Sequence, residues 1–169
     1  DEEVRDAARR ALWSLPEGAV ISHLHARAND FDKNPQAAAH AARLLGKFKD
    51  IDSTGRLLKW LASDDEELRE AAACALSQLG LEEPPRGLLA LLDSKRPEIR
   101  AAAVSVIGNA DFAGPCEEVL KLSRDTSTAV RLQVAGALGK YRGATARDAL
   151  YRLSGDSNSE VRKKALWSI

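Results

Sequence analysis

Apolar residues recur along this chain in one fixed phrase. Around Arg69, Arg100, Arg131 and Arg162, which stand 31 residues apart, the preceding position holds Leu68, Ile99, Val130 and Val161. The third position after holds Ala72, Ala103, Val134 and Ala165, and the seventh holds Leu76, Ile107, Leu138 and Ile169. The sixth holds Ala75, Val106, Ala137 and Ser168. These offsets fall on one side of a helix, so each phrase predicts an amphipathic helix with its apolar stripe turned inward. Two earlier copies surround Arg5 (Val4, Ala8, Ala11, Leu12) and Ala38 (Ala37, Ala41, Leu44, Leu45), the second without its arginine. Repetition at a fixed period marks stacked supersecondary units.

The local signals agree with that register. Four residues before the alignment point stand Asp1, Asn34, Asp65, Arg96, Ser127 and Asn158, all but Arg96 being residues that cap helix starts. Pro35 and Pro97 follow at the first helical position. Gly46, Gly80, Gly108 and Gly139 fall near the ends of the phrases and predict C-terminal stops. A second, less regular helix is predicted between them, around Leu57/Leu58/Trp60/Leu61, Leu88/Leu89/Leu91/Leu92, Val119/Leu120/Leu122 and Leu150/Tyr151/Leu153. In the first unit that partner is placed from Gly18 to Ala28, followed by a loop over Asn29–Asn34. The expected fold is all-α, a solenoid of five to six antiparallel helix pairs in one array over residues 1–169, with the natural protein expected to continue past both ends.

Phrases such as Pro97-Glu98-Ile99-Arg100-Ala101-Ala102-Ala103 and Ser159-Glu160-Val161-Arg162-Lys163-Lys164-Ala165-Leu166 resemble the HEAT-like repeats of the phycobilisome-lyase type. The resemblance spans nearly the whole chain. It implies an α-α superhelix in which the second helix of each pair lines a concave face. Members of that type include chromophore lyases, which makes a subunit of a bilin-lyase-like enzyme one alternative reading.

Charge narrows the classes further. The chain has 25 basic and 25 acidic residues and a formal net charge of zero, whereas a general nucleic-acid binder shows a basic excess. A local basic tilt from Arg9, Arg10, Arg27 and Arg43 keeps weak nucleic-acid binding as a second alternative. No apolar run reaches the roughly 18–20 residues of a membrane span. Cys74 and Cys116 lie in different units and make no close-spaced metal pair, so a cytoplasmic setting with reduced thiols is expected. His23 and His25 are two residues apart, a poor helical zinc spacing, and no nucleophile, phosphate-loop or dinucleotide motif is present. No cofactor and no catalysis are expected.

The repeated Arg69, Arg100, Arg131 and Arg162 are read as a structural ladder, paired with acids such as Asp64, Asp93, Asp125 and Asp156 between neighbouring units. Offsets of one, five and eight residues after the alignment point lie opposite the core stripe. They place Arg10, Trp13, Arg43, Glu70, Cys74, Ser105 and Leu132, with Arg9 alongside, on the candidate partner-binding face; Ala39, Gly46 and Gly108 fall on the same offsets. The expected function is a non-catalytic scaffold that binds a segment of another protein on that face, with Trp13 beside Arg9 and Arg10 as one candidate anchor.

Overall fold

The computed structural model describes residues 16–110, 112 and 117–169. The described residues form helices and turns without strands. Five helices carry the repeated phrase: α3 (Pro35–Lys47), α5 (Glu66–Gln78), α7 (Pro97–Asn109), α9 (Thr128–Leu138) and α11 (Ser159–Ser168). Their partners are α1 (Glu17–Ala26), α4 (Thr54–Leu61), α6 (Arg86–Leu91), α8 (Glu117–Lys121) and α10 (Ala144–Leu153), with a single helical turn α2 (Ala28–Phe31) after α1. Helix α3 packs on α5, α5 on α7, α7 on α9 and α9 on α11, and the partner helices lie along the seams of that row. This is an all-α solenoid.

The core follows the periodic stripe. Leu68, Ile99, Val130 and Val161 are buried, as are Ala72, Ala103, Val134 and Ala165. Leu76, Ile107 and Leu138 are buried too, whereas Ile169 is half exposed. From the partner helices come Leu57, Leu61, Leu88, Val119 and Leu153, all within the same continuous core. Tyr151, expected on the apolar stripe, points to solvent instead.

Helix starts are capped where the side chain can reach. Asn34 Oδ1 accepts from Ala37 N–H at 3.1 Å, Asp65 Oδ1 from Leu68 N–H at 2.8 Å, and Asn158 Oδ1 from Glu160 and Val161 N–H. Ser127 stands at the same place but makes no side-chain cap. The stops differ from expectation. Gly80, with φ 74°, is a left-handed stop after α5. Gly46 and Gly108 lie inside their helices and are buried. A Cβ on Gly46 would stand 2.5 Å from Ala75 Cα, and one on Gly108 would stand 2.7 Å from Ala137 Cβ. Gly139, just past α9, is set likewise against Ser168. These glycines therefore let successive helices approach closely. After α3 the left-handed residue is Lys49 (φ 53°), with Lys49 N–H on Gly46 O and Asp50 N–H on Leu45 O.

The expected loop over Asn29–Asn34 is partly helical, since α2 runs to Phe31. Asp32 ties it down. Its carboxylate accepts from Trp60 Nε1 at 2.8 Å and Lys59 Nζ at 2.6 Å, with Arg56 Nη1 at 3.2 Å. The Lys59 hydrogen bond, helped by that from Trp60 and by both cations against the opposing effect of burial, holds the Asp32 carboxyl below the usual range.

Candidate functional site

The face of the α3–α11 row turned away from the partner helices carries the surface of interest. On α5 it exposes Glu70, Cys74 and Gln78; on α7, half-buried Ser105 and exposed Asn109; on α9, half-buried Leu132 and Gly136 with exposed Gln133. Two depressions of about 420 and 410 Å³ lie on this face. One is lined by Glu70, Ala73, Cys74, Ser77, Gln78, Ser105 and Asn109. The other takes Ser105, Gly108, Asn109, Leu132, Gln133, Gly136, Lys140 and Lys164. Ser105 and Asn109 border both, so the two depressions adjoin at α7 and form a two-part groove across α5, α7, α9 and α11.

Of the residues the repeat singles out, Glu70, Cys74, Ser105 and Leu132 all line that groove. Arg43 does not: it is exposed on α3 and donates from Nη2 to Glu67 Oε1 at 2.9 Å. Arg9, Arg10 and Trp13 lie outside the described residues, as does Cys116. Ala39, Gly46 and Gly108 are buried; Gly46 and Gly108 lie close against Ala75 and Ala137 of the next helix, and Gly108 still borders the second depression. The periodic pattern overlooked the amide row Gln78, Asn109 and Gln133, together with Lys140 and Lys164. The signal was available: Gln78, Asn109 and Lys140 are one period apart.

The arginines act on the other side of the turns. Arg100 donates from Nε and Nη2 to the two Asp125 oxygens at 2.8 and 2.7 Å, and Arg131 does the same to Asp156 at 2.6 and 2.9 Å. In both, Nη1 donates to two backbone carbonyls of the preceding turn. Burial works to raise the Asp125 carboxyl, but the Arg100 hydrogen bonds, the Ser127 N–H and the nearby cations outweigh it and lower it on balance. Asp156 is lowered chiefly by the Arg131 hydrogen bonds.

Arg69 breaks the series. It bonds the carbonyls of Ser63 and Asp64 but hydrogen-bonds no carboxylate among the described residues, its charge only reaching Glu98 at longer range, because the residue matching Asp125 and Asp156 is Ser94. The expected partners Asp64 and Asp93 do not serve: Asp64 pairs with Arg96 at 2.7 Å instead. Arg162 likewise holds Asp156 O and Ser157 O, with no carboxylate among the described residues.

One cluster looks catalytic at first sight. His25 Nε2 lies 2.7 Å from Asp50 Oδ2 and 3.2 Å from Ser53 Oγ, and the serine hydroxyl donates to the same carboxylate oxygen. A nucleophilic relay needs the carboxylate on one imidazole nitrogen and the hydroxyl on the other. Here both sit on Nε2 and the hydroxyl proton is committed to Asp50, so the cluster pins α1 to the turn Ile51–Ser53. No group of three or more His, Cys, Asp or Glu residues among those described has metal-site geometry, and no described helix is long and apolar enough to cross a membrane.

A row of helix pairs sharing one core, with an open groove across the second helices, defines a helical-repeat protein. The family model described as HEAT repeats matches residues 21–94 and 85–169, and the chain belongs to that family. No curated protein sequence matches it. Among solved structures it is similar to an engineered protein crystallised by the Northeast Structural Genomics Consortium, with a TM-score of 0.50 and 22% identity over 80% of this chain and 72% of that one. That likeness concerns the fold.

Proposed function

We propose that this chain is a non-catalytic interaction scaffold that takes a segment of another protein in the groove across α5, α7 and α9. The observation that carries this reading is the pair of adjoining depressions, whose lining changes from helix to helix above a shared buried core. Such an arrangement lets surface chemistry vary without disturbing the core. Nucleic acid is disfavoured by the ion pairs of the described basic residues at the N-terminal end: Arg27 is paired with Asp30 and Arg43 with Glu67.

Cys74 supplies the test, being exposed within the groove. A photoreactive group attached to Cys74 in a Cys116→Ser background is expected to cross-link a discrete partner, identified by mass spectrometry. Ser105→Arg, which fills the middle of the groove, is expected to abolish that adduct. A partner captured equally by both proteins places the contact elsewhere and ends this reading.

A further inference from the structure

Resting on that reading, we infer that the occupant of the groove is an extended peptide, acidic at the end lying over α9 and α11, and not a helix. Three observations lead there. The first is the chemistry of the floor. An amphipathic helix needs an apolar trough for its anchoring side chains, whereas the α7–α9 part of this groove offers Ser105, Asn109, Gln133 and Gly136 around a single large apolar residue, Leu132. The more apolar α5–α7 part offers it only the small Ala73 and Cys74.

The second is the arrangement of the amides. Gln78 Nε2 donates to Cys74 Sγ at 3.5 Å, and one period later Asn109 Nδ2 donates to Ser105 Oγ at 3.3 Å. Each amide is thereby held by the residue four before it, leaving its second N–H for a ligand and, in Asn109, the carbonyl as well; the Gln78 carbonyl lies against Gly46 of α3. A side-chain amide offers a donor and an acceptor together, which is what a peptide backbone requires. Packed helices stand roughly 8–10 Å apart. A polyproline-type strand advances about 9.3 Å per three-residue turn, so it can meet each successive helix with an equivalent backbone unit. Two residues of β-strand advance only about 6.7 Å and drift out of step.

The third is charge. Glu70 lies at the α5 end and Lys140 and Lys164 at the other, and none of the three has an oppositely charged partner among the described residues. Other charges on the same helices are paired, as in Arg43–Glu67 and Lys163–Glu160. The groove is thus electrically graded, and an acidic terminus over the two lysines complements it.

The experiment is selection of a displayed library of random 12-residue peptides on the intact chain, followed by affinity measurement on variants whose thermal melts match the parent. Enriched peptides are expected to carry acids at one end and to tolerate proline. Their affinity should fall about tenfold or more in Lys140→Glu/Lys164→Glu and about tenfold in Gln78→Ala/Asn109→Ala. It should be unchanged in Lys95→Glu. Enriched peptides that are amphipathic helices, yet still lost on Ser105→Arg, overturn the extended peptide and leave the scaffold standing. Peptides indifferent to Ser105→Arg, or no groove-dependent binder at all, overturn both.

Discussion

Arg131 grips Asp156 with two parallel hydrogen bonds, 2.6 Å from Nε and 2.9 Å from Nη2, while its third nitrogen holds Asp125 O and Thr126 O. One side chain thus closes the turn before its own helix and binds the turn of the next unit. Both partners are largely buried, with side-chain exposures of 13% and 8%. Removing either leaves a charge in a poorly solvated seam. Arg131→Ala is expected to cost about 3 kcal/mol in urea unfolding. Arg131→Lys should recover little of it, because an ammonium cannot reproduce the fork.

The same pairs set the acid limb of stability. The Asp156 and Asp125 carboxyls lie below the usual range in the folded chain. A depressed folded pKa gives stability that is full above the unfolded value of about pH 4 and is lost as pH falls through the folded pKa. Urea midpoints should therefore hold from pH 7 to near pH 4 and drop below it. Asp156→Asn should be weaker at pH 7 with a flatter fall; an unchanged acid limb in that variant would contradict the assignment.

The seam between α5 and α7 is the least closely packed, although Arg96 bridges it to Ala62 O, Ser63 O and Asp64. There Ser77 stands where Gly46, Gly108 and Gly139 stand in the other units, opposite the larger Val106, and Ser94 replaces the ladder aspartate. Contact between these two helices is the least extensive of the four steps. Ser94 Oγ already accepts from Arg96 N–H, as Asp125 does from Ser127 and Asp156 from Asn158. Ser94→Asp should then complete the fork with Arg69 and add about 1 kcal/mol. Hydrogen exchange across this seam should slow in the variant, and no change in exchange would count against the loose-seam reading.

Two glycine substitutions should move stability in opposite directions. Gly108→Ala drives a methyl to 2.9 Å from Ala137 Cα and should destabilise by about 1–3 kcal/mol. Gly55→Ala, in α4 with open space around it, should stabilise by about 0.5–1 kcal/mol. Thermal melts of the two variants, read side by side, separate close approach from backbone freedom.

Lys49 adopts a positive φ that favours glycine. The turn is fixed by the next residue, since Asp50 is buried and held by His25 and Ser53. Lys49→Gly should raise stability by up to about 1 kcal/mol, and a lower melting temperature would show that the lysine side chain matters more than its backbone.

The chain's own residues determined the architecture. A stripe at −1, +3, +6 and +7 around each arginine can be buried only if like helices are laid side by side, so period and core were legible before any coordinate. Glu70, Cys74, Ser105 and Leu132 were legible as outward positions for the same reason. Rotation about each helix axis was not legible, because it depends on which neighbour supplies a small residue. Close packing of Gly108 on Ala137 buried an outward position at the edge of the second depression. Only the stacked structure brought Ser105 and Asn109 between two depressions and set Glu70 at the opposite end from Lys164. Periodicity acts along the helix; the groove arises from distances between helices, which side-chain volumes at their crossings decide.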